Sequence, residues 1–386
     1  MILKANTSTN TKTEPSILFL TTADPATIRA EWPYYQNWTL PTALKSRANA
    51  QVHIRCWRDD SLTSEVLAGY DNITFLWCNN YHEHPVAFLA FLRERLCPVV
   101  ADFSSSSPRS SRSMQTRVVN NANVVLWNTD KTYLQDVREA GFLIPDTEFL
   151  EAIDANFETV AELAGRIARS PVAAAAAATA KKGKGKGVVL KPSISGSSKQ
   201  TYLLNDPNLL SENDTAYLRA ILRDGIDGSL MIQAYEPAIA NGEYSLVYIA
   251  GEHTHTMVKT PARGEFRCQA EFGGQTAQVD NSLVPQAARD TATRILEYME
   301  SRFGSLLGYC RIDGVIRDDG SFVMMEIEAI EPHLWLETHA DEKTKEKLQA
   351  CFGPEAAVPS IDTIGERSSA IAFDRFDATG VLGVEV

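Results

Sequence analysis

The stretch Tyr309-Cys310-Arg311-Ile312-Asp313-Gly314-Val315-Ile316, Arg317-Asp318-Asp319-Gly320-Ser321, Phe322-Val323-Met324-Met325-Glu326-Ile327-Glu328-Ala329-Ile330-Glu331-Pro332 is a pair of apolar runs around an acidic turn. Asp-Gly between alternating runs is a strong short-range hairpin signal. With Asp319-Gly320 as the tip, Asp313 lies opposite Glu326 and Arg311 opposite Glu328. Strand alternation puts these four on one face, and Ile312, Gly314, Ile327 and Ala329 on the other. Carboxylates directly opposite each other repel, so such a pair calls for a cation between them. Oxygen donors without His or Cys nearby suit Mg²⁺, which takes few carboxylates and completes its shell with phosphates. Asp313, Glu326 and Glu328 are therefore candidate metal ligands on a nucleotide platform. The alternative is a solvated hairpin face with an Arg–Glu cross-strand pair.

The composition bounds what such a platform belongs to. The chain of 386 residues is long enough for two or three packed domains. Its 37 Lys and Arg against 49 Asp and Glu give a net charge of −12, which argues against a general nucleic-acid or anionic-membrane surface. The six Cys form no CxxC pair, so free thiols in a reducing compartment are expected. No apolar run approaches membrane-spanning length and the start of the chain lacks a signal-peptide core, which makes the cytoplasm the expected location.

Working outward, residues 16–22, 52–57 and 72–78 read as buried strands and 98–102 as a shorter one. Helical patterns lie between them, clearest over 85–96 with Val86, Phe88, Leu89, Leu92 and Leu96 on an apolar stripe. Strand–helix alternation predicts a doubly wound parallel sheet. No GxGxxG follows its first strand. The Ser-rich stretch 103–117, with Arg109, Arg112 and Arg117, reads as a solvated loop, or as an anion-gripping one. A helix with Thr129 or Asp130 as cap buries Tyr133, Leu134 and Val137 and stops at Gly141. The Ala and Gly-Lys stretch 171–186 reads as a mobile surface insertion whose deletion leaves stability nearly unchanged.

Order resumes with a strand ending at Lys191. The small-residue turn 193–198 follows, where Ser195 and Gly196 allow backbone N–H groups to approach phosphate oxygens. Leu230 to Gln233 is a further strand, and Tyr244 to Lys259 a hairpin around Gly251-Glu252. The polar loop 261–274, with Arg263, Arg267 and Gln269, has the length of a lid. Residues 341–351 read as a helix. His82 and His84 form no metal site without a third ligand. His253 and His255 read as structural, and Glu331-Pro332 as a strand end.

Taken in this order, the parts resemble the ATP-grasp superfamily, and within it the glutathione-synthetase-like carboxylate–amine ligases. The resemblance covers residues 118 to 337 and is strongest over 231–274 and 311–332. The Glu-x-Glu-x-x-Glu-Pro ending is similar to a subgroup that includes the O-ureido-serine cyclo-ligase. The implied fold class is α/β (α+β), a doubly wound pre-ATP-grasp domain followed by a two-subdomain ATP-grasp fold. The implied domains are a disordered tail over 1–14, the pre-ATP-grasp domain over 15–127, ATP-grasp subdomains over 128–232 and 233–340, and a C-terminal extension over 341–386. By the resemblance, Lys131 and Lys191 hold the α and β phosphates. Gln233 to Glu236 match the strand linking the subdomains, where the backbone of Ala234 and Glu236 reads adenine. Glu243 holds the ribose, and Asp313, Glu326 and Glu328 hold Mg²⁺, two ions replaceable by Mn²⁺. Arg311, with Lys259 and Arg267, surrounds the γ-phosphate and the reacting carboxylate. Many relatives carry Asn where this chain has Glu328.

The resemblance implies an ATP- and Mg-dependent ligase that turns a small amino-acid-like carboxylate into an acyl phosphate. It then joins this to an amine or closes it into a ring, releasing ADP and phosphate, in specialised metabolism. Small-molecule substrates are the expected partners, without nucleic acid or membrane, and a homodimer is the assembly to test. Two other classes stay open: a phosphotransferase on the same ATP site and a non-catalytic nucleotide-binding protein.

Overall fold

The apolar runs read above form strands in three sheets, joined there by strands that the sequence did not announce at Arg117–Val118, Thr147–Leu150 and Gln275–Val279. A computed structural model describes residues 14–31, 39–47, 50–100, 116–151, 157–180 and 187–352. All belong to one unit, Met1–Ala356; a second, Ala357–Val386, lies outside the described residues. So do residues 1–13 of the expected tail, Arg109 and Arg112 of the Ser-rich loop, the Gly-Lys stretch 181–186 and everything past 352.

The first sheet holds β1 (Ser16–Thr21), β2 (Gln51–Cys56), β3 (Asn72–Trp77) and β4 (Arg117–Val118) in the order β2-β1-β3-β4, all parallel. Ile17, Leu18, Phe19 and Leu20 are all sealed from solvent. Covering on both faces explains why β1 is continuously apolar instead of alternating. Two expectations change. β2 is an edge strand and half exposed, not buried. Of the strand expected at 98–102, Cys97–Val99 is a short 3₁₀ turn with Pro98 in its first turn, Val100 makes a single parallel bridge to Thr116, and 101–102 lie outside the described residues. Proline supplies no ladder donor, and the fourth strand forms instead at Arg117–Val118. The helix over 85–96 forms as an α-helical turn, Pro85–Ala90, widening into a π-helical one, Phe91–Leu96. Val86 lies off its stripe, 83% exposed.

The second sheet holds β5 (Thr147–Leu150), β6 (Val188–Pro192), β7 (Tyr202–Leu204) and β8 (Leu230–Ala234), antiparallel in the order β5-β8-β6-β7. Helices Val160–Ala168 and Glu212–Asp224 pack on it, each opened by a capping box, Thr159 with Glu162 and Ser211 with Asp214. The mobile insertion expected over 171–186 is overturned in its first part. Pro171–Ala180 is a helix, and Ala173 is buried in the core with Leu163, Ile167 and Leu230. Alanine is the best helix former, and small side chains let this helix lie close on the sheet. Of the two caps expected, Thr129 or Asp130, the structure places Asp130 before the helix. Thr129 closes the preceding helix, Ala122–Thr129, while Asp130 Oδ1 accepts from the Thr132 N–H before helix Tyr133–Glu139.

The third sheet is antiparallel: β9 (Glu243–Ile249), β10 (Glu252–Thr260), β11 (Gln275–Val279), β12 (Tyr309–Ile316) and β13 (Phe322–Glu328), in the order β11-β10-β9-β12-β13. Helix Gln286–Phe303 covers one face with Ala288, Ala292, Ile295 and Met299, packed in one core with Leu246, Ile312 and Met324. Val247, Ile249 and Tyr309 share a second core with Ile17 and Phe19 of the first sheet.

Candidate active site

The β12–β13 hairpin has the expected pairing, reached by an unexpected route. Arg311 lies opposite Glu328 and Asp313 opposite Glu326. The tip, however, is a three-residue loop, Asp318 to Gly320, closed by bonds between Arg317 and Ser321 and between Gly320 and Arg317. Gly320 takes φ +82°, the left-handed turn that glycine tolerates. This shifts the register by one residue, and a bulge between Asp313 and Gly314 shifts it back. The face is no freely solvated one: Arg311 is 7% exposed and Asp313 1%, while Glu326 and Glu328 are half-buried at the cavity.

Every carboxylate on this face meets a cation. Arg311 grips Asp313 through two bonds of 2.9 Å and pairs with Glu328. Lys259 lies 2.7 Å from Asp313 and 3.4 Å from Glu243, its cross-strand partner. Lys131 reaches Glu326 at 3.2 Å and donates to the Ser195 carbonyl. Lys191, on β6, lines the same cavity, which has a volume of about 1100 Å³.

Burial opposes charge throughout, and the partners decide the outcome. Burial raises the Asp313 carboxyl, but Arg311 and Lys259 outweigh it and hold it well below the usual range. Glu326 is likewise pulled down against burial by Lys131 and Lys191. Burial wins at Glu243, which is raised despite Lys259. It wins at Glu328, pushed up to about 7 against Arg311, and at Glu331, pushed up to about 8 with Glu328 adding repulsion. Burial lowers the Lys191 amine to about 8. Burial would lower Lys259 too, but Asp313 and Glu243 raise it above its ordinary value.

The nucleotide-side residues are placed as follows. Gln233 is buried and donates to Thr147 Oγ1. The Ala234 N–H is taken by the Asp146 carbonyl. The Glu236 carboxylate is consumed locally, accepting from the Ala238 N–H and pairing with Arg317 at 2.7 Å. Gly196 and Ser195 lie on the cavity wall. Arg267 is not brought to the carboxylates: it pairs with Glu265 at 2.8 Å and stacks 3.6 Å over Phe272 within the loop 261–274, which also lines the cavity.

Among the described residues, no three His, Cys, Asp or Glu side chains form a ready metal cage. The donors are nonetheless all oxygen and on one wall, which fits Mg²⁺, an ion held by one or two carboxylates with phosphates rather than by an all-protein cage. Three side chains that position this wall carried no functional expectation. Asn128 donates to the Ile327 carbonyl and accepts from the Ala329 N–H, both at 2.8 Å. The Tyr133 hydroxyl accepts from the Ile327 N–H. Asn120 donates to the Tyr309 and Ala329 carbonyls. Asn128 and Tyr133 are polar groups among apolar helix positions and Asn120 lies in the turn before Ala122–Thr129, which sequence alone reads as boundaries.

No family model and no curated protein matches the chain. Solved structures do. D-cycloserine synthetase DcsG is 21% identical with a TM-score of 0.60, covering 87% of this chain and 98% of that one. The macrocyclase MdnC from Microcystis aeruginosa MRC, bound with its precursor peptide MdnA, is 14% identical at 0.52, covering 89% and 100%. The RimK domain protein ATP-grasp from Sphaerobacter thermophilus DSM 20745 is 15% identical at 0.52, covering 88% and 99%. The likeness is one of fold, and the chain has the ATP-grasp fold.

Proposed function

We propose that this ATP-grasp chain is an ATP- and Mg-dependent ligase that activates a small amino-acid-like carboxylate as an acyl phosphate and joins it to an amine, or closes it into a ring. The observation that carries the reading is the wall of buried Arg311 and Asp313 with half-buried Glu326 and Glu328, set opposite Lys131, Lys191 and a small-residue turn in one cavity. A merely structural hairpin gains nothing from burying so many charges, since each costs desolvation.

Asp313, Glu326 and Glu328 would hold Mg²⁺, which when bound neutralises charge on the phosphates. Lys131 and Lys191 bind the α and β phosphates, Glu243 the ribose, and the backbone at Ala234 and Glu236 the adenine. Arg311 orients the substrate carboxylate beside the γ-phosphate, and Lys259 offsets charge as the phosphoryl group moves. The carboxylate oxygen bonds to phosphorus as the bond to ADP breaks. The amine nitrogen then attacks the carbonyl, phosphate leaves, and the amine loses a proton. Orientation alone can supply on the order of 7 kcal/mol. The loop 261–274 keeps water from the intermediate.

The test incubates the protein with ATP, Mg²⁺ and a panel of amino acids and small carboxylates, then separates the nucleotides and analyses products by mass spectrometry. ADP, phosphate and a new C–N bond are expected, with ¹⁸O from the labelled carboxylate appearing in phosphate. AMP with pyrophosphate would overturn the mechanism. ADP formed on a carboxylate alone, with no amine required, would mark a phosphotransferase.

A further inference from the structure

His82 takes no part in the steps above, yet it lines the same cavity as Lys131, Lys191 and Gly196. It follows β3 of the first sheet, in the short helical turn Tyr81–Glu83. The residue is 8% exposed, and its Nδ1 is buried without a hydrogen-bond partner among the described residues. Buried polar atoms are nearly always paired, so an orphan asks for a ligand. Burial lowers the imidazole to about 4, so at neutral pH it carries one N–H and no charge.

The ring is fitted to the small-residue turn. A Cβ on Gly196 would meet His82 Cε1 and Nδ1 at 2.9 Å, so a side chain there would have to displace the imidazole. The next two residues, Ser197 and Ser198, take φ +48° and +55°. Non-glycine residues seldom adopt that region, and such turns cluster at ligand clamps.

The β6–β8 register says which part of a nucleotide reaches this point. Val188 pairs with Ala234 and Pro192 with Leu230. Four strand steps, about 13 Å, separate the level of Ala234 from the start of the turn. A nucleotide whose base is read at Ala234 and Glu236 therefore brings its phosphate end to Gly196. We propose that His82 is a ligand of the terminal phosphate: the first sheet lends the cavity an imidazole that donates a hydrogen bond to a γ-phosphoryl oxygen when the 193–198 turn closes on ATP. This rests on the nucleotide reading given above. It makes the turn a point where the first sheet senses whether the nucleotide is a triphosphate or a diphosphate.

The experiment compares binding of Mg-ADP and of a Mg-bound, non-hydrolysable imido analogue of ATP by calorimetry, in the wild type, H82A and H82N. H82A should lose about tenfold or more in affinity for the triphosphate analogue and less than about twofold for ADP, and H82N, which keeps a donor, should regain most of the loss. Equal losses for both nucleotides, or none for either, would overturn the role. If H82A fails to fold, H82Q against H82M makes the same comparison between a donor and a non-donor. A wild type that binds neither nucleotide would bring down the nucleotide site itself and this inference with it.

Discussion

Asp313 and Glu326 face each other across one rung of a hairpin, and each is answered by a different cation, Arg311 with Lys259 on one side and Lys131 on the other. Glu326→Gln keeps the shape and removes one charge, so turnover should fall by about 100-fold or more while the fold persists. Steady-state rates and melting curves measured together check this; near-normal turnover would return the pair to a structural role. Glu331 gives a prediction in pH. Its carboxyl is raised in the folded protein to about 8 by burial and by Glu328. The folded state therefore holds the proton more tightly than the unfolded one. Its contribution to stability is complete below the ordinary carboxylate range and is lost as pH rises toward 8. The ligand-free wild type should thus lose stability relative to Glu331→Gln between pH 5 and pH 8.5, read as the difference in denaturant midpoint. Parallel profiles would show that the group is solvated. Arg311, Asp313, Glu326 and Glu328 were legible because strand alternation puts them on one face and the bulge cancels the extra loop residue. Asn120, Asn128 and Tyr133 were not, because a side chain that bonds to a distant backbone leaves no periodic trace.

The helix Pro171–Ala180 shows where composition misleads. Six consecutive alanines offer no apolar stripe to read, yet Ala173 is buried in the second sheet's core. Ala173→Asp would bury an unpaired carboxylate and should cost about 2–4 kcal/mol in a denaturation experiment. A change under half a kcal/mol would mean that the helix detaches readily. Helix Gln286–Phe303 is the opposite case. Its buried positions Ala288, Ala292, Ile295, Leu296 and Met299 do follow helical spacing, but two of the five are alanines and the stripe is faint. The first sheet was legible in its three apolar strands and not at its fourth, because Arg117–Val118 is too short to carry a pattern. The hairpin shows both sides at once: the rungs at Asp313 and Arg311 were predicted, while the three-residue loop and its cancelling bulge were hidden by their own cancellation.

At the scale of the molecule, one face of the second sheet has a core of its own, with Leu163, Val188, Leu204 and Ile232, drawn from residues 150–232. Its other face joins the third sheet through Met231, which packs in one core with Leu246 and Ile312, and the third sheet shares a further core with the first. A ligand bridging Lys191 and Glu326 adds a second tie between the second and third sheets. Saturating Mg-ATP should therefore slow amide exchange across 187–204 and raise the melting temperature, with about 2.7 kcal/mol of added stability at a hundredfold excess over Kd. Unchanged exchange there with clear nucleotide binding would place the ligand elsewhere. The side chains that hold β13 have a further consequence, for the company this protein keeps in concentrated solution. β13 is the last strand of its sheet, and an unpaired strand edge is a template for another chain. Here Asn128, Tyr133 and the Leu143 carbonyl already occupy the outward groups of Met324, Ile327 and Ala329, so the row that carries the acidic wall is closed to strand addition. The opposite edge, β11, is left to polar, exposed Gln275, Thr276 and Gln278. Guarding one edge with side chains and the other with polarity lets the sheet stay unpaired without becoming a seed for aggregates.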